Sequence, residues 1–237
     1  MKKLIVILTA CAAVACGGDK KAGIKSWETG QAVAMDGADS IVMTFPVAKG
    51  GAVADSINDA VARALKSGIA GEENDGLTLA EEMAAVLAEK NADTITAHIP
   101  YQMISEGSYY EKDGIYSVYL QAYYFTGGAH GMTIGRYLNF DAKAGCQLSL
   151  EDMFMDVRIL TGLNREYLAK YLAAMPEEDY EPYLFIDPTE APLPNNIGLN
   201  DKGVVMLYNQ YEIAAYVFGQ TEHIIPYDVI DNILMKY

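Results

Sequence analysis

His130 is enclosed by glycines in the stretch GGAHG, in which Gly127 and Gly128 precede it. Glycines permit tight turns and the close approach of a ligand, and a histidine placed there could bind a metal or act as a general base. The alternative is that the glycines shape a strand end while the imidazole bonds to the backbone. We favour this alternative and expect no metal, because only His98 and His223 could join such a site and neither has ligand spacing. Gly127, Gly128 and His130 stay candidates for ligand binding.

Two carboxylates could serve His130 as partners in acid–base catalysis. Glu212 lies in an apolar run that predicts a strand, where a carboxylate is sometimes functional but more often faces solvent or pairs with a base. Asp141 is the second candidate. The chain has no GxSxG, SxxK or CxxC motif and no strand–GxGxxG–helix pattern. We therefore expect no catalytic residue and no cofactor, with an enzyme that uses His130 and one of these carboxylates as the alternative.

The N-terminus predicts where the protein works. Two lysines and an apolar run from Leu4 to Ala15 precede Cys16, which is the pattern of a secretory signal peptide. The run is shorter than the roughly 20 residues of a membrane-spanning helix. A cysteine at the cleavage point is similar to a bacterial lipoprotein signal, with Cys16 as the lipidated residue, Cys11 as the alternative, and an unlipidated cut elsewhere as the third possibility. We expect a signal peptide over 1–15, a polar tether over 16–37 and a lipid anchor in a bacterial membrane, with the outer membrane favoured.

Composition limits the partners. The chain is 51% hydrophobic and 21% charged, which is typical of a globular protein, and its net charge is −15. Such a surface repels phosphate backbones, so we expect no nucleic-acid partner. It favours cationic partners, including basic proteins.

The expected fold class is α+β, because predicted helices and strands alternate without βαβ regularity. A strand at 40–47 precedes helices at 52–66 and from Thr78, whose TLAE sequence is a capping box. Eight of the 17 tyrosines lie between Tyr101 and Tyr137, in segments that predict an antiparallel, tyrosine-rich sheet. Further helices are predicted at 149–155, 157–174 and 227–236, and further strands at 197–208 and 211–217.

A long loop separates the last helices from the last strands. Residues 176–196 hold five of the eight prolines and several acids, which excludes regular structure. Tyr180, Tyr183 and Phe185 lie among those acids, and we expect them to be ligand-binding candidates. The alternative is a connection that merely packs over the core.

Three segments resemble one known family. They are YYFTGGAHG at 123–131, NFD at 139–141 with LSLEDMF at 148–154, and YEIAAY at 211–216 followed by IPY at 225–227. They are similar to the extracytoplasmic domain family found in the lysozyme-sensing anti-sigma factor RsiV and, as its non-catalytic part, in the peptidoglycan deacetylase PdaC. The similarity runs in order from about Ser40 to the end of the chain.

The resemblance implies two intertwined α+β subdomains, over 38–135 and 136–237, and an envelope ligand. In the RsiV case that ligand is lysozyme, a basic protein. The sequence has no sigma-binding segment and no deacetylase domain with metal-binding histidines, so neither signalling nor deacetylation is implied. We expect a non-enzymatic envelope lipoprotein that binds a protein, such as a lysozyme, or a cell-wall ligand, and that contacts the membrane through its anchor alone. The alternative is a hydrolase- or deacetylase-like enzyme that acts on the envelope glycan through His130 and a carboxylate.

Overall fold

The computed structural model describes residues 5–9, 23–70 and 76–237. The strands are β1 (Ile5–Thr9), β2 (Ile24–Asp36), β3 (Asp39–Gly50), β4 (Gln102–Lys112), β5 (Ile115–Phe125), β6 (Met132–Asp141), β7 (Asn196–Leu199), β8 (Gly203–Tyr208) and β9 (Thr221–Pro226). The helices are α1 (Ala52–Ala70), α2 (Leu79–Ala92), α3 (Leu150–Met153), α4 (Val157–Leu172) and α5 (Tyr227–Ile230). The predicted α+β class is confirmed.

The strands form two sheets. Within the described ranges, one sheet has the order β1-β2-β3-β4-β5-β6 and the other the order β7-β8-β9. Strands β1 to β3 pair antiparallel, as do β7 to β9, but β3 and β4 run parallel. The larger sheet is therefore mixed, because α1 and α2 carry the chain from the end of β3 back to the start of β4.

Asp39 fixes the start of the parallel pair. Its buried carboxylate accepts a hydrogen bond from the Tyr101 N–H at 2.8 Å and pairs with Lys90 Nζ at 2.8 Å. Burial acts to raise the pKa of Asp39, but the bonds from Lys90 and Tyr101 outweigh it and lower that pKa below its ordinary value. Because Lys90 lies in α2, the same ion pair ties that helix to the sheet.

Most of the expected tether is strand. Residues Ile24–Asp36, which we assigned to a polar tether, form β2 and pair with β3 from Ile24 to Asp36. Gly30, Ala32 and Ala34 are buried on alternate positions, which is the period of a strand with one covered face. Glycine and alanine have low strand propensity, and this hides the pattern in the sequence. Cys11 and Cys16 lie outside the described residues.

The helices begin where their caps predict. The capping box at Thr78 is confirmed, with the Thr78 hydroxyl and the Glu81 carboxylate each accepting from the other's backbone N–H. A second capping box at Ser149 and Asp152 opens α3. The predicted last helix is much shorter, because residues 231–233 form a turn, Leu234 bridges to Phe154 and Met235 donates to the Met153 carbonyl. No helix in the described part of the chain is both long enough and apolar enough to span a membrane.

The chain divides into two compact units. Unit 1 contains the described residues up to Ser108 together with Leu120–Met132 and Ala142–Cys146. Unit 2 contains Tyr109–Tyr119, Thr133–Asp141 and Gln147–Tyr237. In place of one boundary after residue 135, the chain passes between the units several times, and each of the strands β4, β5 and β6 contributes residues to both.

Candidate functional site

A tightly held turn follows β8 in unit 2. The side-chain amide of Asn209 bonds to both backbone groups of Gly135, accepting from its N–H at 2.7 Å and donating to its carbonyl at 2.9 Å. The Gln210 amide oxygen accepts from the Thr133 N–H at 2.9 Å, and Gln220 donates to the Asn209 amide oxygen at 2.8 Å. Two consecutive side chains thus satisfy backbone groups of β6 as a neighbouring strand would, and they fix the position of the turn.

Glu212 closes this turn. Its carboxylate accepts from the Asn209 N–H at 3.1 Å and from the Asn195 N–H at 3.5 Å, and its own N–H donates to the Asn209 carbonyl at 3.1 Å. The prediction that Glu212 lies in a strand over 211–217 is therefore wrong, because Asn209 supports a turn that ends the strand at Tyr208. A carboxylate engaged by two backbone N–H groups has a structural role.

The turn holds Tyr211 in the left-handed backbone region, with φ of 70°. That conformation costs a bulky residue free energy because its Cβ approaches the carbonyl oxygen. The ring is nevertheless 52% exposed, and its centroid lies 5.9 Å from that of Tyr216. The bonds made by Asn209, Gln210 and Glu212 hold the strained backbone in place.

The loop at 176–196 joins this turn through backbone pairing. Phe185 donates to the Ile213 carbonyl at 2.9 Å, and Ala215 donates to the Tyr183 carbonyl at 2.8 Å. Phe185 is 58% exposed, Tyr183 36% and Val217 70%. We call the surface side chains on these two paired segments the aromatic surface; they are the exposed Tyr183, Phe185, Tyr211 and Val217 and the half-buried Tyr216.

The loop candidates divide between surface and core. Tyr183 and Phe185 are exposed, whereas Tyr180 packs against a buried cluster with Leu184 and Ile186. The buried members of that cluster, which we call the loop-facing cluster, are Leu168, Leu172, Ala191, Tyr208 and Ile213. Alternate residues of the loop therefore cover the core and face outward, while ligand binding by Tyr180, Tyr183 and Phe185 stays a prediction.

The loop is strongly acidic. Between Pro176 and Asn196 it carries six carboxylates and no lysine or arginine; the six are Glu177, Glu178, Asp179, Glu181, Asp187 and Glu190. The Arg165 side chain of α4 donates to the Ala191 carbonyl at 3.0 Å and the Glu190 carbonyl at 3.4 Å, so it anchors backbone at the loop's end. Apolar rings are thus presented within a field of negative charge.

His223 lies in β9 beside the loop-facing cluster. It is 5% exposed, between the rings of Tyr171 and Tyr208, and neither ring nitrogen has a hydrogen-bond partner within the described residues. Burial lowers the pKa of His223 to about 4. The Tyr208 hydroxyl donates to the Pro192 carbonyl at 2.6 Å and accepts from Asn164 at 2.7 Å, while burial raises the pKa of that hydroxyl to about 12. These neutral polar groups fasten the end of the loop to the core.

The glycine-rich loop lies in unit 1, between β5 and β6. Gly127 and Gly128 have φ of 95° and 102°, and a Cβ on Gly127 would lie 2.5 Å from Ile99 Cγ2. His130 is exposed, and its Nδ1 lies 3.0 Å from the Gly131 carbonyl. These contacts are those of a glycine-shaped turn, while ligand binding by Gly127, Gly128 and His130 stays a prediction.

The remaining chemical candidates are dispersed. Asp141 is the last residue of β6, and the Cys146 thiol is exposed. Within the described ranges, no three or more His, Cys, Asp or Glu side chains are arranged to hold a metal ion. Sequence reasoning missed Tyr211, Tyr216 and Val217 as surface residues, although Asn209 after an apolar run was a usable turn signal.

Family models match both halves of the chain. Residues 37–133 match the model for Deacetylase PdaC, and residues 151–228 match the model for Protein of unknown function (DUF3298). The C-terminal half is therefore similar to the DUF3298 family and the N-terminal half to the PdaC model. Both the aromatic surface and the turn at 209–212 lie inside the DUF3298 match, and the glycine-rich loop lies within the PdaC match.

Solved DUF3298 structures have the same fold. A member of the family from Bacteroides fragilis superimposes with a TM-score of 0.65 at 22% identity, covering 92% of this chain and 96% of that one. A DUF3298 protein from Pseudomonas aeruginosa PAO1 gives 0.61 at 20% identity, covering 99% and 93%. The fold extends beyond the two matched segments.

One relative by sequence is an anti-sigma factor. The chain is 28% identical over 113 residues to the anti-sigma-V factor RsiV of Bacillus subtilis (strain 168). The match covers 45% of this chain and 40% of RsiV, so the chain spans about two fifths of that relative's length.

Proposed function

We propose that this protein is a non-enzymatic module of the bacterial cell envelope that binds a basic protein, such as a lysozyme, through the aromatic surface. The observation that carries the proposal is the placement of exposed rings beside an acidic loop that has no basic residue. Apolar anchors of this kind supply most of the affinity in protein interfaces, while surrounding charge raises the association rate and selects the sign of the partner. The partial sequence similarity to the anti-sigma-V factor RsiV, at 28% identity over 113 residues, supports a protein ligand.

The proposed location is extracytoplasmic, on a lipid at Cys16. The test is membrane fractionation of cells that produce Cys16→Ser, with Cys11→Ser as the matched control. We expect Cys16→Ser to release the protein or leave its precursor uncleaved, and Cys11→Ser to behave as the wild type. The opposite pattern moves the lipid to Cys11, and unchanged fractionation of both variants excludes a lipid anchor at these cysteines.

The binding proposal is tested by calorimetric titration of the purified protein with hen lysozyme at low and physiological salt. We expect affinity to fall with salt but to persist, because screening weakens steering by charge while the apolar contact remains. Binding that disappears at physiological salt would reveal charge pairing without a specific surface.

A variant pair places the contact. Phe185→Ser removes an exposed ring from the aromatic surface, and we expect at least a tenfold loss of lysozyme affinity. Ile104→Ser is the matched control, since Ile104 is 54% exposed and lies in unit 1. Equal effects of the two substitutions would exclude the aromatic surface as the binding site.

A further inference from the structure

The turn at 209–212 keeps a bulky aromatic residue where the backbone favours glycine. Tyr211 has φ of 70°, and in the described part of the chain Asp113 is the other non-glycine residue with positive φ. Asp113 precedes Gly114 in a tight hairpin, where aspartate tolerates that conformation. Turn chemistry gives no such reason for a tyrosine, and its side chain is not needed to fill the core because half of it is exposed. Strain of this kind persists where the surroundings over-determine the backbone, and it concentrates at binding sites.

The side chains around Tyr211 define what it can bind. The Tyr211 and Tyr216 rings lie 5.9 Å apart and tilted by 35°, and Val217 beside them is 70% exposed. The face of a tyrosine ring attracts a cation. Among side chains the arginine guanidinium is the best such cation, because it is planar and weakly hydrated. An exposed apolar residue next to the rings suits the methylene stem of the same side chain. The acidic loop paired to this segment adds attraction for positive charge.

We infer that the Tyr211–Tyr216 pair is a recognition element for an arginine side chain on the basic partner. This inference rests on the proposed function, since it names the chemical group that the aromatic surface selects. Tyr211 contacts the guanidinium through its ring, and Glu212 is a positioning residue that keeps the turn closed. Lysine is the weaker ligand, because its ammonium is more strongly hydrated and does not stack.

The first test uses small probes, so that it does not depend on the protein partner. N-acetylarginine amide is titrated into the purified protein while the ring proton resonances of Tyr211 and Tyr216 are followed by NMR, with N-acetyllysine amide as the comparison. We expect the arginine probe to shift these resonances at least twice as far as the lysine probe. Tyr211→Leu should abolish the Tyr216 shift, and Tyr109→Leu, at another exposed tyrosine of unit 2, should retain it. Equal shifts with both probes, or none, would overturn the inference.

The second test separates recognition from structure by the sign of two effects. Tyr211→Gly relieves the backbone strain, so the melting temperature should rise while lysozyme affinity falls at least fivefold. If Tyr211 had only a structural role, Tyr211→Gly would lower the melting temperature and change lysozyme affinity by less than twofold. If wild-type protein does not bind lysozyme but responds selectively to the arginine probe, the lysozyme assignment fails and the arginine site stands. If the wild-type protein binds lysozyme but shows no selective response to the arginine probe, the proposed function stands and the arginine site is overturned.

Discussion

Two loops of this protein contain backbone at positive φ, and they use residues of opposite chemistry to do so. The 126–131 loop uses Gly127 and Gly128, which adopt that region at little cost, and its close contact with Ile99 leaves no room for a side chain. The 209–212 turn has Tyr211 at this position, where its backbone is strained and about half of its side chain is exposed to solvent. The first loop is explained by packing. The second is held against its own preference by surrounding hydrogen bonds, and for that reason it is the better candidate for function.

The largest loss of stability is expected for a substitution at Gly127. Gly127→Ala adds a Cβ in a left-handed backbone and 2.5 Å from Ile99 Cγ2, on a β-branched side chain with little room to move. We expect a loss of about 3 to 4 kcal/mol of unfolding free energy, combining backbone strain and overpacking. Gly128→Ala is the matched control, because its φ is similar but nothing lies within 4 Å of the added Cβ, and it should lose about 1 to 2 kcal/mol. Equal losses in urea denaturation would show that the contact with Ile99 is unimportant.

Acid should weaken the unit that carries the turn. His223 has a pKa of about 4 in the folded protein against 6.5 when unfolded, so the unfolded state binds more protons between these values. Its contribution is favourable above pH 6.5 and is lost as pH falls from 6.5 towards 4, by about 3 kcal/mol in total. Hydrogen exchange should show this loss in β8 and β9.

The control for that pH dependence is a pair of variants. His223→Phe keeps a ring between Tyr171 and Tyr208 and should remove the decline between pH 6.5 and 4. His98→Phe changes an exposed histidine and should leave the decline in place. A decline of unchanged size in His223→Phe would assign the acid sensitivity to the carboxylates.

At the turn itself the expected effect is smaller and opposite in sign. Tyr211→Gly should raise the unfolding free energy by about 1 kcal/mol, because glycine occupies positive φ without steric cost. Asn209→Ala is informative beside it, since removing the amide that pairs with Gly135 should lower stability. If Tyr211→Gly destabilises the protein in thermal melts, the ring makes a packing contribution larger than its strain, and the contrast between the two loops is lost.

The smallest effect is expected at His130. Its ring is exposed and its Nδ1 lies near the Gly131 carbonyl, so His130→Ala should change stability by less than about 0.5 kcal/mol. Lysozyme affinity should also stay within twofold if recognition belongs to the aromatic surface. A tenfold loss of affinity in His130→Ala would move the candidate site to the glycine-rich loop.

Sequence patterns predicted the parts of the fold that depend on local chemistry. The capping box at Thr78 occurs as expected, because the residues that make it are neighbours in the chain. The strand nature of 24–36 was hidden, since small residues such as Ala32 gain strand structure only when a partner strand covers them. Asn209 signals a turn, but the left-handed conformation of Tyr211 could not be predicted from neighbouring residues. Its conformation is imposed by Gly135, which lies 74 residues from Asn209.

The amides of Asn209 and Gln210 also limit how the protein associates. Strand β6 is the last in its sheet, and an open last strand is a template for adding another chain, which leads to domain swapping or aggregation. The N–H of Thr133 and both backbone groups of Gly135 are already engaged by those two side chains. An extended peptide therefore finds no continuous row of free backbone groups along this end of β6. Partners that approach here must be recognised by side chains, and the sheet is protected from growth where the tyrosine turn begins.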